Sequence, residues 1–477
     1  MVKSETRRPE IRPVLRSIAT EDGSDFGFRI SDLTPAACLG RFLTNLRFLV
    51  GLLLLSLVLT LPAATNPTTP FFKFRDATLS YGGPDQDLTN LTEIRIGWFG
   101  PTNLNNPLTG SLWWAANFAI REANEQAESS RKAVNQGAVT SPSSSRISDF
   151  GLPSDFGFRP SDFSRLPFLL VPRWAVDPWG TGVSQLARMV YDDQPLALLA
   201  PVDSATAHLA EQVVAKANLP LVCPICTDRS ATLAGVSWMF SCAPTDEAIA
   251  RVLVENVLRA SGTLALLTGT DHESRMTARQ VMREFSRRNR LPDFQFEMPP
   301  GASAYESQLT ALQSSQPREV LIIAGAEDSA HLVRALREKL PATRLWGGPS
   351  FARARFQALA GSAAEGVRCP LLFAPDPAEA ATAHFVEQFH AAHHYPPDYT
   401  AALTYDATRL LVEAIRRAGP NRSRVRDALA HLSPWSGVAG PIQFDGTGQN
   451  RRTNICMGIF QSGQLRQALP GAALSHL

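Results

Sequence analysis

The stretch PLALLAPVDSATAHLAEQVVAKANLPLVCPICT, residues 195–227, decides the fold. Its apolar runs LALLA and LPLVC are too short for helices, while Leu209, Val213 and Val214 between them recur at helical spacing. The pattern predicts a strand over Leu196–Ala200, a turn carrying Asp203 and Ser204, a helix over Ala205–Ala217, and a second strand introduced by Pro220 and ending at Thr227. That is one strand–helix–strand unit of a parallel sheet. Such units open their strand C-termini into one crevice, so Ser204 and Thr227 stand just beyond two neighbouring strand ends, beside the free N–H groups at Ala205. This is a place to hold a small polar or anionic group.

Upstream, Ile94–Phe99 reads as a strand, Gly100–Gly110 as a Pro/Asn/Gly loop and Ser111–Glu125 as a helix with a narrow stripe of Leu112, Ala115, Ala116, Ala119 and Ala123. PFLLVPR forms a further strand and Val183–Tyr191 a further helix, so strands and helices alternate as in a doubly wound α/β domain. A second series begins beyond a crossover at Ser241–Glu247. Its strands are Leu264–Leu267, Phe294–Met298, Val320–Ala324 and Arg344–Trp346, and three of them run into the loops GTDHES, GAEDS and GGPS. Its helices fall at Met276–Arg288, Tyr305–Gln313 and Ala330–Lys339. Amphipathic helices at Ala378–His394 and Tyr405–Arg417, a turn at 440–449 and a strand at Thr453–Gln461 close the chain.

A length of 477 residues suits two or three domains, and a net charge of +2 selects no partner. No basic patch with interleaved aromatics is present, so a nucleic-acid partner is not expected. The chain has no GxSxG, P-loop, GxGxxG or zinc spacing, so nothing calls for a cofactor or for catalysis. The six cysteines spell out no disulfide framework, although an oxidising compartment leaves room for one bridge. Cys223-Pro-Ile-Cys226 has the spacing of a metal or redox pair but lies in a predicted strand, where two small packed residues are the simpler reading. The histidines of HFVEQFHAAHHY, residues 384–395, lack the glutamate of HExxH and read as an exposed helix end. Trp113 and Trp114 serve either a pocket wall or the core.

Residues 48–61, FLVGLLLLSLVLTL, follow a polar stretch with Arg7, Arg8, Arg12 and Arg16 and precede Ala63 and Ala64. This is the form of a secretory signal peptide, with an uncleaved anchor as the alternative, and the rest is expected to be exported. No cysteine follows the apolar core, so a lipoprotein attachment there is not expected. The long stretch before that core points to a start downstream of Met1. SDFGFRISDL at 24–33 returns as SDFGFRPSDF at 154–163, within a Ser-rich stretch at 127–166 that reads as a disordered insertion or a partner-binding segment.

IRIGWFGP with AANFAIREAN, then ALLAPVDSATAHLAEQVVAKANLPLVCPICT, AAEGV, TYDATRLLVEAIRRAG and GVAGPIQFDGTGQ occur in the order and spacing of one family. The chain resembles the leucine/isoleucine/valine-type periplasmic substrate-binding proteins of ABC transporters over residues 92–468, apart from the insertion. The resemblance implies a type I periplasmic-binding-protein fold, two doubly wound α/β lobes joined by three crossovers, with ligand trapped between strand C-termini by hinge closure. It implies one lobe from 92–243 with 375–440 and another from 244–374 with 441–470. The partners it implies are a small-molecule ligand and a membrane permease, or a receptor if the protein is a sensor. By the resemblance Ser204, the Ala205 helix start and Thr227 bind a ligand carboxylate, and the Ile225 carbonyl accepts an ammonium. In the second lobe the family's glutamate position falls at Ser350 and a binding tyrosine at Ala326, while Glu273 takes another tyrosine position. Glu327, Glu273 or Asp271 then remains to face an ammonium. An amino acid, an amide, a urea-like compound or another small carboxylate all fit, as does a degenerate member that binds nothing.

Overall fold

Runs of β-branched and aliphatic residues flanked by amphipathic helices build two sheets. In the computed structural model, which describes residues 87–135, 163, 165–301 and 305–468, the first sheet holds five parallel strands in the order β2-β1-β3-β4-β5. These are β1 (Ile94–Phe99), β2 (Phe168–Arg173), β3 (Ala197–Leu199), β4 (Leu221–Cys223) and β5 (Met239–Ser241). The helices among them are α1 (Gly110–Asn135), α2 (Val183–Arg188), α3 (Ser204–Ala217) and α4 (Arg229–Leu233). The described residues belong to a unit spanning 68–477; the predicted export segment and the first repeat copy lie outside them. Among the described residues no helix is long and apolar enough to cross a membrane.

The chain then passes to a seven-stranded sheet through 242–245. Five of its strands are parallel: β6 (Leu264–Gly269), β7 (Phe294–Met298), β8 (Glu319–Ile323), β9 (Arg344–Gly347) and β10 (Arg368–Leu371). Helices α5 (Asp246–Leu258), α6 (His272–Arg287), α7 (Glu306–Ser315), α8 (Ala326–Lys339) and α9 (Ala354–Ala360) accompany them. After β10 come α10 (Ala380–His393), α11 (Tyr399–Ala418), α12 (Arg422–His431) and the hairpin β11 (Trp435–Gly437) with β12 (Gly440–Ile442). A third passage returns the chain to β13 (Cys456–Gln461), antiparallel to β10, and β14 (Gln464–Gln467), giving the order β14-β13-β10-β9-β8-β6-β7.

Both faces of each sheet are covered, as strands buried on two sides require. On one face of the first sheet Leu112, Ala116 and Ile120 of α1 join Leu410, Leu411 and Ala414 of α11 over Ile96 and Leu199. On the other, Leu209, Ala210 and Val214 of α3 pack on Leu198 and Leu221. The second sheet is clad by Ala330, Val333 and Leu336 of α8 on one side and by Leu253, Val254, Val281 and Phe285 of α5 and α6 on the other. The helices that follow β10 thus return to the first sheet, which is why the chain passes between sheets three times.

Several expectations need correction. The stretch taken as an insertion from 127 is helical to Asn135, because α1 continues past Glu125. Phe163, inside the second repeat copy, is buried in the α1/α11 core, so 127–166 is not wholly disordered; the part at 136–162 lies outside the described residues. The strand expected to reach Thr227 ends at Cys223, where Pro224 removes the N–H needed to continue the ladder. The loops after β6 and β8 are shorter than read. Asp271 caps α6 by accepting from the Ser274 N–H at 2.9 Å, which brings His272 and Glu273 into the first helical turn. Ala326 and Glu327 likewise open α8.

The third passage is fixed to β5 by backbone bonds: Ser241 N–H to the Gly448 carbonyl at 2.8 Å and Asn450 N–H to the Ser241 carbonyl at 2.9 Å. Gly448 has φ +83°, and a Cβ there would stand 2.2 Å from the Met239 carbonyl oxygen. Gly448→Ala is therefore expected to destabilise the fold by about 2–3 kcal/mol, read as a lower thermal midpoint. An unchanged midpoint would show that the passage is not held in this way.

Candidate functional site

The start of α3 is set by local chemistry. Asp203, in an extended conformation, accepts the Thr206 N–H at 2.7 Å, and the Thr206 hydroxyl accepts the Asp203 N–H at 3.3 Å. The reciprocal cap leaves the Ser204 N–H at the first helical position without an intrahelical acceptor. Ser204 is fully buried, and its partner comes from the other sheet. Its N–H donates to Glu273 Oε1 at 2.8 Å and its hydroxyl to Oε2 at 3.0 Å, so the carboxylate at the start of α6 is gripped at both oxygens.

Burial, together with the charges of Asp203 and Asp246, raises the Glu273 carboxyl to about 8 against the pull of the Ser204 donors. Thr227 lies beside this pair but is engaged with Asp246. The Thr227 carbonyl accepts the Asp246 N–H at 2.9 Å, Thr277 donates to the Asp246 carboxylate at 2.7 Å, and the Thr227 hydroxyl beside it acts to hold that carboxyl down. Burial raises Asp246 to about 6 in spite of both hydroxyls. The Asp228 N–H reaches the Ser204 hydroxyl at 3.4 Å, linking the start of α3 to the loop after β4.

The remaining second-sheet candidates are not brought to Ser204. Asp271 spends its carboxylate on the α6 cap and on the Ser274 hydroxyl at 2.6 Å. Glu327 is paired with Arg355 at 2.7 Å. The Ser350 hydroxyl donates to the Ala324 carbonyl at 2.6 Å, and Ala326 is buried beside it at the ends of β8 and β9. Ile225 is buried among Ala115, Phe118 and Val438, and Ala205 sits one residue into α3.

Three further groups also span the two sheets; of their residues the sequence singles out only His272, as one of the acid–base types in Asp271-His272-Glu273. His272 Nε2 lies 3.3 Å from Asp228 Oδ2, which His208 Nε2 approaches at 3.1 Å. Arg353 donates to the Leu108 carbonyl at 2.5 Å and to Asp398 Oδ2 at 3.3 Å, and the Ala354 N–H adds a bond to the same oxygen at 3.1 Å. Tyr399, next to Asp398, has its phenol pushed up by burial, with Arg353 opposing and Asp398 and Glu273 adding to the rise. Asp271-x-x-Ser274 is a legible cap signal that places His272 and Glu273 in a first turn, whereas nothing local marks Arg353 or Asp398.

Other open readings resolve into packing. Cys223 and Cys226 are free, buried thiols in the α3 core, and Cys242, Cys369 and Cys456 are free as well; Cys38 lies outside the described residues. Trp114 stacks on Phe118 at 5.0 Å and Trp113 lies 5.2 Å from Trp98, which places both with the core. On α10, the His393 ring lies tilted 4.4 Å from Phe389, and the exposed His384 pairs with Glu122 at 3.0 Å.

A family model described as periplasmic binding protein matches residues 177–465. No curated protein matches the chain in sequence. Among solved structures, an ABC transporter substrate-binding protein from Desulfitobacterium hafniense in complex with Leu is 19% identical, covering 79% of this chain and 99% of its own, with a TM-score of 0.59. A branched-chain amino acid transporter substrate-binding protein from Streptococcus pneumoniae in complex with isoleucine is 16% identical, covering 79% and 100%, with a TM-score of 0.63. A solute-binding protein of an ABC transporter from R. palustris in complex with benzoate is 16% identical, covering 79% and 95%, with a TM-score of 0.62. At these identities the likeness is one of fold: two α/β lobes of the type I periplasmic-binding-protein class.

Proposed function

The chain belongs to the periplasmic binding protein family, and from that premise we propose that it is an extracytoplasmic solute-binding protein. In this reading it captures a small α-amino acid between its lobes and delivers it to the membrane permease of an ABC transporter. In this reading one lobe comprises 92–243 with the chain from 375 through the β11–β12 hairpin, whose Ile442 and Phe444 pack in the first-sheet core, and the other comprises 244–374 with β13 and β14. The work done is binding and closure, in which contacts made only when the lobes meet shift an open–closed equilibrium.

The observation that carries the ligand assignment is the grip of Ser204 on the Glu273 carboxylate. A buried N–H and a hydroxyl at a helix start suit a carboxylate ligand, and the carboxyl group of Glu273 already sits on them. A ligand carboxylate takes the same donors when the lobes part, with the Ala205 N–H and the Thr227 hydroxyl beside it. Glu273, displaced from Ser204, then faces the ligand ammonium together with the Ile225 carbonyl. Ala326 and Ser350, small residues at the ends of β8 and β9, leave room for the ligand side chain, with Glu327 and Asp271 at the rim.

Glu273→Ala tests the cross-lobe link. With no ligand added, spin or fluorescent labels on α3 and α8 are expected to report a wider interlobe distance distribution in the variant than in the parent chain. Equal distributions would show that the Ser204–Glu273 bond does not hold the lobes. The ligand itself is sought by thermal-shift measurements across amino acids, amides, urea and small carboxylates. A shift confined to free amino acids supports the proposal, and a shift with none of these compounds removes it.

A further inference from the structure

Beside the Ser204–Glu273 bond lies a second cluster that solute capture does not use. His208 projects from the second turn of α3, Asp228 from the loop after β4, and His272 from the first turn of α6, so the first two belong to one lobe and the third to the other. One ligand atom from each, His208 Nε2, Asp228 Oδ2 and His272 Nε2, lies within 4.8 Å of the others. The carboxylate oxygen is 3.1 Å from the first imidazole nitrogen and 3.3 Å from the second. Two donors bound tetrahedrally at zinc–nitrogen and zinc–oxygen lengths are separated by roughly 3.3 Å.

We propose that His208, Asp228 and His272 form a site for a zinc-like divalent cation that ties the two lobes together. Two imidazoles and one carboxylate select a borderline first-row ion such as zinc, cobalt or nickel over magnesium or calcium, which take oxygen donors. The surroundings support three roles. Glu211, buried on the same helix, sets its carboxylate 3.5 Å from His208 Nδ1, the arrangement that fixes a metal-binding imidazole with Nε2 directed to the ion. The Ser230 N–H donates to Asp228 Oδ1 at 2.9 Å, which holds that carboxylate with Oδ2 toward the imidazoles. The His272 side chain is 39% exposed, so the ion has a route from solvent and a water can complete its coordination.

Metal binding takes each imidazole through an unprotonated nitrogen. Because His272 reaches the other ligands only when the lobes are together, the cation stabilises the closed arrangement and is itself bound better there. That coupling is reciprocal.

The test uses the full chain without a histidine tag, stripped with chelator and titrated with zinc by calorimetry and with cobalt by visible absorption. One zinc per chain and a tetrahedral or five-coordinate cobalt spectrum are expected. His272→Gln, at an exposed position that leaves the core intact, is expected to weaken zinc binding by more than about 100-fold, and Glu211→Gln by about 10- to 100-fold. Zinc is also expected to narrow the α3–α8 label distances in the parent chain and to leave them unchanged in His272→Gln. Two results would overturn the proposal. One is the absence of stoichiometric zinc binding, which leaves the cluster as a hydrogen-bonded triad. The other is equal zinc affinity in His272→Gln, His208→Gln and the parent, which assigns the metal to the histidines of α10.

Discussion

Replacing Ser204 and Thr227 together with alanine is expected to weaken binding of the captured amino acid by at least about 100-fold. In the proposed complex each hydroxyl donates to the ligand carboxylate, and one such charge-assisted bond contributes about 1.5–3 kcal/mol. Losing two removes about 3–6 kcal/mol, and each ~1.4 kcal/mol is a factor of ten in affinity. The Ser204 N–H remains, and loss of the Ser204 hydroxyl also loosens the hold on Glu273, which eases ligand entry. Both effects place the outcome toward the lower end of the range. Thr227→Val keeps the shape of the side chain while removing its hydroxyl, and separates the loss of the hydroxyl from the loss of packing around Thr227. Unchanged affinity in the double variant would remove both residues from the site.

The second large effect concerns stability. Asp406 on α11 is fully buried, and its two oxygens accept the N–H groups of Val438 and Ala439, each at 2.8 Å, tying the β11–β12 hairpin to the helix. Burial raises its carboxyl to about 7, with the Ala439 and Val438 N–H groups opposing, against 3.8 when unperturbed. The folded state therefore binds this proton more tightly than the unfolded state. Its ionisation costs stability progressively as pH rises from about 4 to about 7, and the cost is constant above that window. The shift corresponds to about 4 kcal/mol. Asp246, raised to about 6, acts with the same sign over a narrower window.

Denaturant unfolding at pH 5 and pH 8 is expected to show Asp406→Asn gaining stability relative to the parent as pH rises. The difference between the two proteins isolates Asp406 from the carboxylates held low, such as Glu284 and Asp293. A pH-independent difference would show that Asp406 does not titrate in this window. A Cβ on Gly437 would lie 2.3 Å from Asp406 Oδ2, so the hairpin tolerates no side chain where it meets the helix.

What was legible in the sequence was local. The run 195–227 yields β3, α3 and β4 because strand and helix periodicities and the Asp203/Thr206 cap depend only on neighbouring residues. Asp271-x-x-Ser274 marks the start of α6 four residues before Met276, because the cap, rather than the apolar periodicity, sets where the helix begins and puts His272 and Glu273 in its first turn. The link between Ser204 and Glu273 joins residues 69 apart, and that between Arg353 and Leu108 joins residues 245 apart. Such contacts are set by how two lobes meet, and no propensity or spacing encodes them. Phe163 shows the converse limit: a Ser-rich setting reads as unstructured, yet one aromatic within it finds a place in the core.

On the proposed function, Ser204 and Glu273 divide the two charged ends of an amino acid between the lobes. The measurement that meets it most directly is calorimetric titration of the chain with the amino acid showing the largest thermal shift, then with its carboxamide and its N-acetyl derivative. Saturable one-to-one binding of the free amino acid, with both derivatives weakened by about 100-fold or more, is the expected result. Equal binding of the carboxamide, or no saturable binding of any free amino acid, would contradict it.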